Sequence, residues 1–142
     1  MTSGSDVGAT ITIERQLDWI DTDAAGYWHH STLWRFVEAA EAQLHRDLGI
    51  VDITFGFTPR RRVEAEFFSP LHFDRPAAIT LEVARVGRTS ATYEARLTSG
   101  DTLIATARIV MVFIDGDGRA TPWPDAVAGA LADGVPVEAA AP

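Results

Sequence analysis

The sequence predicts a single α+β domain in which one long helix packs on an antiparallel sheet of about five strands. Three observations carry this. Four stretches alternate apolar and polar residues with period 2 and a fifth is a long apolar strand, one stretch alone keeps a long helical period, and 142 residues fit one domain of roughly 100–200.

The first strand spans 9–18, where Ala9, Ile11, Ile13 and Leu17 alternate with Thr10, Thr12, Glu14 and Gln16, broken only by Arg15. Asp18 to His30 is irregular, small and polar, yet holds Trp19, Tyr27 and Trp28, aromatics that form either a lid over the core or a pocket wall. From Ser31 the period changes: Leu33, Phe36, Val37, Ala40 and Leu44 make one apolar helical face, with Ser31 as N-cap and Gly49 as the stop.

After a connection from Val51 to Pro59, alternation returns at Val63, Ala65 and Phe67, at Ile79, Leu81 and Val83, and at Ala91, Tyr93, Ala95 and Leu97. Residues 102–114 form a last strand, apolar on both faces near its end, which places it centrally or under a second subunit. Pro70, Pro76, Gly87, Ser99-Gly100 and Gly116-Asp117-Gly118 mark turns, and Ala126–Leu131 after Pro122 and Pro124 a short terminal helix. Residues 1–8 and 132–142 are expected to be flexible ends around a domain at 9–131. One helix cannot cover both sides of such a sheet, so a symmetric homo-oligomer, a homodimer or homotetramer, is expected.

Composition excludes several classes. The chain has no cysteine, which rules out disulfides, thiolate zinc sites and a cysteine nucleophile. A formal net charge of −8 disfavours nucleic acid as a partner. With no signal-peptide pattern and no apolar run near 20 residues, a cytoplasmic protein without a membrane span is expected. The basic groups Arg60-Arg61-Arg62 and Arg85 with Arg88 read equally as solvated faces or as landing points for a polyanionic ligand.

Chemistry concentrates in the loop before the helix. Asp21 and Asp23 precede Gly26, and His29-His30 precede the cap. A helix start offers unpaired N–H groups that can polarise a carbonyl oxygen, and a nearby carboxylate can attack that carbonyl or deprotonate water. Spacing alone leaves other readings open. Asp-x-Asp before a helix also caps backbone, paired histidines are commonly surface residues, and Asp21, Asp23, His29 and His30 could ligate a metal, although no second helical histidine pair supports such a site and no metal is expected. On the helix, Glu38 and Glu41 lie with Trp34 and His45 beside the apolar face. They are rival carboxylates, or a polar flank with a Glu41–His45 pair one turn apart. Asp115-Gly116-Asp117-Gly118 lacks the glutamate of a calcium loop, since Ala126 stands at position 12, and reads as a turn.

Leu17-Asp18-Trp19-Ile20-Asp21-Thr22-Asp23-Ala24-Ala25-Gly26, followed by His30 and Glu38-Ala39-Ala40-Glu41, resembles the opening of the 4-hydroxybenzoyl-CoA thioesterase family. It is also similar to the short-chain acyl-CoA thioesterases of bacterial envelope operons. The resemblance continues through Phe67-Phe68-Ser69-Pro70-Leu71, Val86-Gly87-Arg88-Thr89-Ser90 and Asp115-Gly116-Asp117-Gly118, over about residues 10–131. It implies the hotdog fold, a long central helix wrapped by the sheet, and hydrolysis of an acyl-CoA or acyl-carrier-protein thioester without a cofactor. By the same resemblance Asp23 is the catalytic carboxylate, and His30 sits at the reacting carbonyl through its side chain or its N–H. Gly26 and Trp28 would shape the substrate site, and Arg88 with Ser90 would meet the phosphates of CoA. Arg60-Arg61-Arg62 is either a further phosphate contact or the exposed start of a strand. Thr32-Leu33 stands where the family commonly has Asn-Tyr, and Trp28 and Trp34 add bulk, so the acyl group is not specified. The alternative function is a non-hydrolytic binding module for acyl thioesters with the same fold.

Overall fold

A computed structural model describes residues 8–138. Strand β1 (Thr10–Gln16) leads through one 3-10 turn (Trp19–Asp21) to helix α1 (Thr32–Leu48), then α2 (Val51–Thr54), β2 (Arg60–Phe67), β3 (Pro76–Val86), β4 (Ser90–Ser99), β5 (Thr102–Val112) and α3 (Asp125–Asp133). All strands are antiparallel in the order β1-β3-β4-β5-β2, so the first two strands in sequence become the two edges. This is the expected α+β architecture, with a helix against a five-stranded sheet.

The alternating pattern is realised directly. Ile79, Leu81 and Val83 of β3 pair with Leu97, Ala95 and Tyr93 of β4, which pair with Ala105, Ala107 and Ile109 of β5, and all nine side chains are buried. Leu33, Phe36, Val37, Ala40, Leu44 and Leu48 of α1 join this core, and the helix lies chiefly against β1 and β3. Each buried leucine or isoleucine here contributes about 1.5–3 kcal/mol of transfer free energy. The late apolar strand, β5, lies inside the sheet between β4 and β2.

The helix ends as the sequence predicts, on Gly49 at φ 73° with its N–H bonded to the carbonyls of Arg46 and His45. Its start differs. Ser31 has helical dihedrals and makes no side-chain cap. Its hydroxyl lies 2.8 Å from His29 Nδ1 instead, and the Thr32 hydroxyl donates to the Asp21 carbonyl at 3.1 Å.

Edge strand β2 forms where the alternation places it but is only partly covered. Val63 and Phe67 share the inner face with Ile109 and Ala105, yet 48% and 47% of their surface stays exposed, because α1 lies over the β1–β3 part of that face and leaves the β2 edge beyond it. At the C-terminal end, α3 runs on through Ala132 and Asp133 into the segment expected to be a flexible tail. Beyond it the Val137 N–H donates to the Leu48 carbonyl at 2.8 Å; the rest of that segment, 139–142, and residues 1–7 lie outside the described residues. Among the described residues no helix is long and apolar enough to cross a membrane.

Candidate active site

Asp21 and Asp23, two residues apart, have different fates. Asp21 is buried, accepts the Asp18 N–H at 2.8 Å and is ion-paired with Arg35 of α1. Its carbonyl accepts the His29 N–H at 2.6 Å. It therefore pins the loop to the helix, and its carboxylate is already engaged.

Asp23 opens a tight turn. Its N–H donates to the Tyr27 carbonyl at 2.7 Å and its carbonyl accepts the Gly26 N–H at 3.1 Å. Gly26 has φ 85°, a left-handed conformation that disfavours any residue with a Cβ. The exposed Asp23 carboxylate receives Ala25 N–H (2.8 Å) and Tyr27 N–H (3.3 Å) on Oδ1 alone. Among the described residues Oδ2 has no protein partner, so one oxygen is oriented and the other is open.

Asp23 borders a cavity of about 430 Å³ whose walls include Trp28, His30, Phe67, Phe68 and Pro70. Trp28, 7% exposed, packs edge-on against Phe67 at 5.8 Å between ring centroids. His30 is exposed beside His29, centroids 4.2 Å apart. The N–H groups of Trp28 and His29 are bonded to Leu71 and Asp21 carbonyls, whereas the His30 N–H meets no acceptor among the described residues. A free donor one residue before the Ser31 flank of α1 can bind an oxygen that gains negative charge.

Asp23, Trp28 and His30 thus meet in one cavity, and Gly26 shapes the turn behind them. Arg88 and Ser90 do not join them on the same chain. They occupy the β3–β4 turn, where their carbonyls accept the Trp123 N–H (3.1 Å) and Nε1–H (2.9 Å). Phe67 is linked through Ala105 to Leu97, and Ser90 lies seven residues from Leu97 along β4, roughly 23 Å at about 3.3 Å per residue. Trp34 lies partly buried against the core and does not line this cavity. Sequence reasoning missed the Phe67–Pro70 wall as part of the site, because β2 reaches the Asp23 loop only through the sheet.

The Glu41–His45 pair does not form. Glu41 is buried and held by both nitrogens of Arg60, and His45 turns instead to Thr54 and Tyr93. The Thr54 hydroxyl donates to the Ile50 carbonyl (3.1 Å), so it accepts from His45 Nδ1–H (2.6 Å). That leaves the Nε2 lone pair for the Tyr93 hydroxyl at 2.5 Å and fixes a neutral imidazole. Burial pushes His45 below its usual range, opposed by Glu41 and reinforced by Arg60. Burial likewise raises Tyr93, and the bond to Glu41 raises Arg60. Of the Arg60-Arg61-Arg62 group, Arg60 is therefore committed inward and Arg62 pairs with Glu64 at the surface.

Among the described residues no group of three or more acidic or histidine side chains converges as a metal site. Asp115 Oδ1 accepts the N–H groups of Asp117 and Arg119, the turn that the sequence suggests.

Comparison with known proteins agrees with this architecture. The sequence model of the thioesterase-like superfamily matches residues 17–131. Among solved structures, a 1,4-dihydroxy-2-naphthoyl-CoA thioesterase from Synechocystis superposes with TM-score 0.76 at 21% identity, over 87% of this chain and 96% of that one. A 4-hydroxybenzoyl-CoA thioesterase variant in complex with 4-hydroxybenzoyl-CoA gives 0.76 at 21%, over 87% and 99%. A thioesterase from Thermus thermophilus in complex with coenzyme A and zinc gives 0.77 at 19%, over 92% and 95%. These likenesses identify the hotdog fold. No curated protein matches the chain.

Proposed function

The chain belongs to the thioesterase-like superfamily, and from that premise we propose that it hydrolyses an acyl-CoA or acyl-carrier-protein thioester at Asp23. The observation that carries this reading is the pairing, on one cavity, of a carboxylate with one oriented and one open oxygen and an unengaged N–H at His30.

The thioester carbonyl oxygen accepts the His30 N–H, which stabilises the negative charge formed on attack. Asp23 Oδ2 then acts in one of two ways. As a nucleophile it forms a C–O bond to the acyl carbon while the C–S bond breaks, the thiolate leaves and takes a proton from solvent, and water hydrolyses the resulting anhydride. As a general base it takes a proton from the water that attacks. Trp28 and Phe67 wall the acyl group, and the His30 side chain assists in orienting it.

A second copy completes the site in this reading. The apolar inner face of β2 is left half exposed, and Arg88 and Ser90 are remote from Asp23 on the same chain, so they would reach the substrate from a partner subunit. Solution mass by light scattering tests this; a monomer at working concentration overturns it.

The test of activity is thiol release from a panel of aromatic, short-chain and medium-chain acyl-CoA thioesters, with Asp23→Asn as control. Turnover by the parent and its loss in the variant are expected. Silence across the panel overturns hydrolysis, and tight acyl-CoA binding without thiol release would favour the binding-module alternative. Single turnover in ¹⁸O-water tests the nucleophilic role, since label on Asp23 requires an anhydride opened at the Asp23 carbonyl, whereas the general-base route places the label in the released acid alone.

A further inference from the structure

The segment Phe68–Pro70 is a ridge, pinned where the N–H groups of Phe68 and Ser69 donate to the Ile104 carbonyl at 2.8 and 3.3 Å. The Asp23 cavity lies on one side. On the other is a second cavity of about 290 Å³, whose polar lining is Ser69, His72, Arg75, Ser99 and Thr102, and Ser69 and Pro70 border both. The backbone bridge Tyr27↔His72 ties the Asp23 turn to this second wall.

The lining has a definite chemistry. It is cationic and hydroxylic, with no carboxylate, in a chain of formal net charge −8. By contrast the hollow on the outer face of the sheet carries Glu64, Glu66, Glu82 and Glu94, and the cavity at Arg60 carries Glu38 and Glu41. Asp74 and Asp101 precede Arg75 and Thr102 in the chain but do not line the cavity. Arg75 makes no ion pair among the described residues. The Ser99 hydroxyl is spent on the Pro76 carbonyl at 2.8 Å, so Arg75, His72, Ser69 and Thr102 are the available donors. Several convergent donors with a guanidinium suit a phosphate group.

We propose that this cavity receives the phosphate at the far end of the substrate's pantetheine arm, on the same chain whose Asp23 meets the carbonyl. The inference rests on the thioester reading above. The arm crosses the ridge at Pro70, which has no N–H to desolvate, and Arg75 takes the phosphate. That phosphate is common to acyl-CoA and to the prosthetic group of an acyl carrier protein.

The experiment compares Arg75→Ala and Arg75→Glu with the parent on acyl-CoA, acyl-carrier protein, acyl-phosphopantetheine and the phosphate-free N-acetylcysteamine thioester. Loss of a charged hydrogen bond is expected to raise KM for the phosphorylated substrates about tenfold to a hundredfold, with kcat nearly unchanged and the phosphate-free thioester unaffected. The carrier whose KM rises more in Arg75→Glu is the source of the phosphate. An unchanged KM, an equal loss on the phosphate-free thioester, or a rise seen with Arg88→Ala in place of Arg75→Ala overturns the proposal. Should the parent hydrolyse nothing, the thioester reading fails by itself, and calorimetric titration with CoA decides this one. Binding weakened in Arg75→Glu supports the phosphate site, whereas no binding, or equal binding by both proteins, overturns it.

Discussion

Arg60 and Glu41 face each other fork to fork, Nη1 to Oε2 at 2.8 Å and Nη2 to Oε1 at 2.5 Å, joining the first residue of β2 to the middle of α1. Both oxygens of Glu41 are thereby occupied. Arg60 keeps 30% of its side chain exposed, so breaking the pair falls between the surface and fully buried cases. Arg60→Ala is expected to cost about 2 kcal/mol in urea unfolding. Turnover per folded molecule should hold in Glu41→Gln; a tenfold loss there with intact stability would make Glu41 a participant in the chemistry.

The two aspartates of the loop should separate stability from activity. Asp21→Asn sets an amide against Asp18 N–H and Arg35 in a buried position and should cost about 1–3 kcal/mol. Asp23→Asn changes an exposed group and should move stability by less than about 0.5 kcal/mol, while thiol release falls about a hundredfold or more. Melting curves and thiol release on both variants check this pair of outcomes.

His45 gives the fold an acid limit. Its folded-state value is lowered, first by burial, so the unfolded chain binds its proton more readily. The stability it contributes is complete above about pH 6.5, the unfolded value, and is lost as pH falls below that, at up to about 1.4 kcal/mol per pH unit. Urea midpoints between pH 8 and 5 should show this slope in the parent and lose it in His45→Gln.

Two left-handed glycines should respond unequally to alanine. At Gly26 an added Cβ meets nothing within 4 Å, so only the dihedral cost of about 1–2 kcal/mol applies. At Gly49 the same cost is joined by a Cβ placed 2.5 Å from the Val137 carbonyl oxygen. Gly49→Ala should therefore lower the melting temperature more than Gly26→Ala, and deleting residues 135–142 should shrink the difference.

What the sequence disclosed depended on distance along the chain. Asp23, Trp28 and His30 were legible together because one loop carries them, and β3, β4 and β5 because each buries one face. Burial of Val63 and Phe67 was not decidable from alternation, which reports a shared face and not whether the helix reaches it. Nor could spacing show that Glu41 meets Arg60 or that His45 meets Tyr93, 19 and 48 residues away. The visible neighbour, one helical turn apart, was the wrong one. Asp21 and Asp23 were equivalent in composition, and only the position of Arg35 made one structural.

The strand order β1-β3-β4-β5-β2 has a kinetic consequence. Strands β3, β4 and β5 are joined by short turns and can zip as a local meander, whereas β1 and β2 must each close a long loop before they gain a partner. The Asp23 turn hangs from β1 and its facing wall from β2. On that order the Asp23 cavity is expected to be the last part of the domain to assemble, so the proposed site would form only with the final strand pairings.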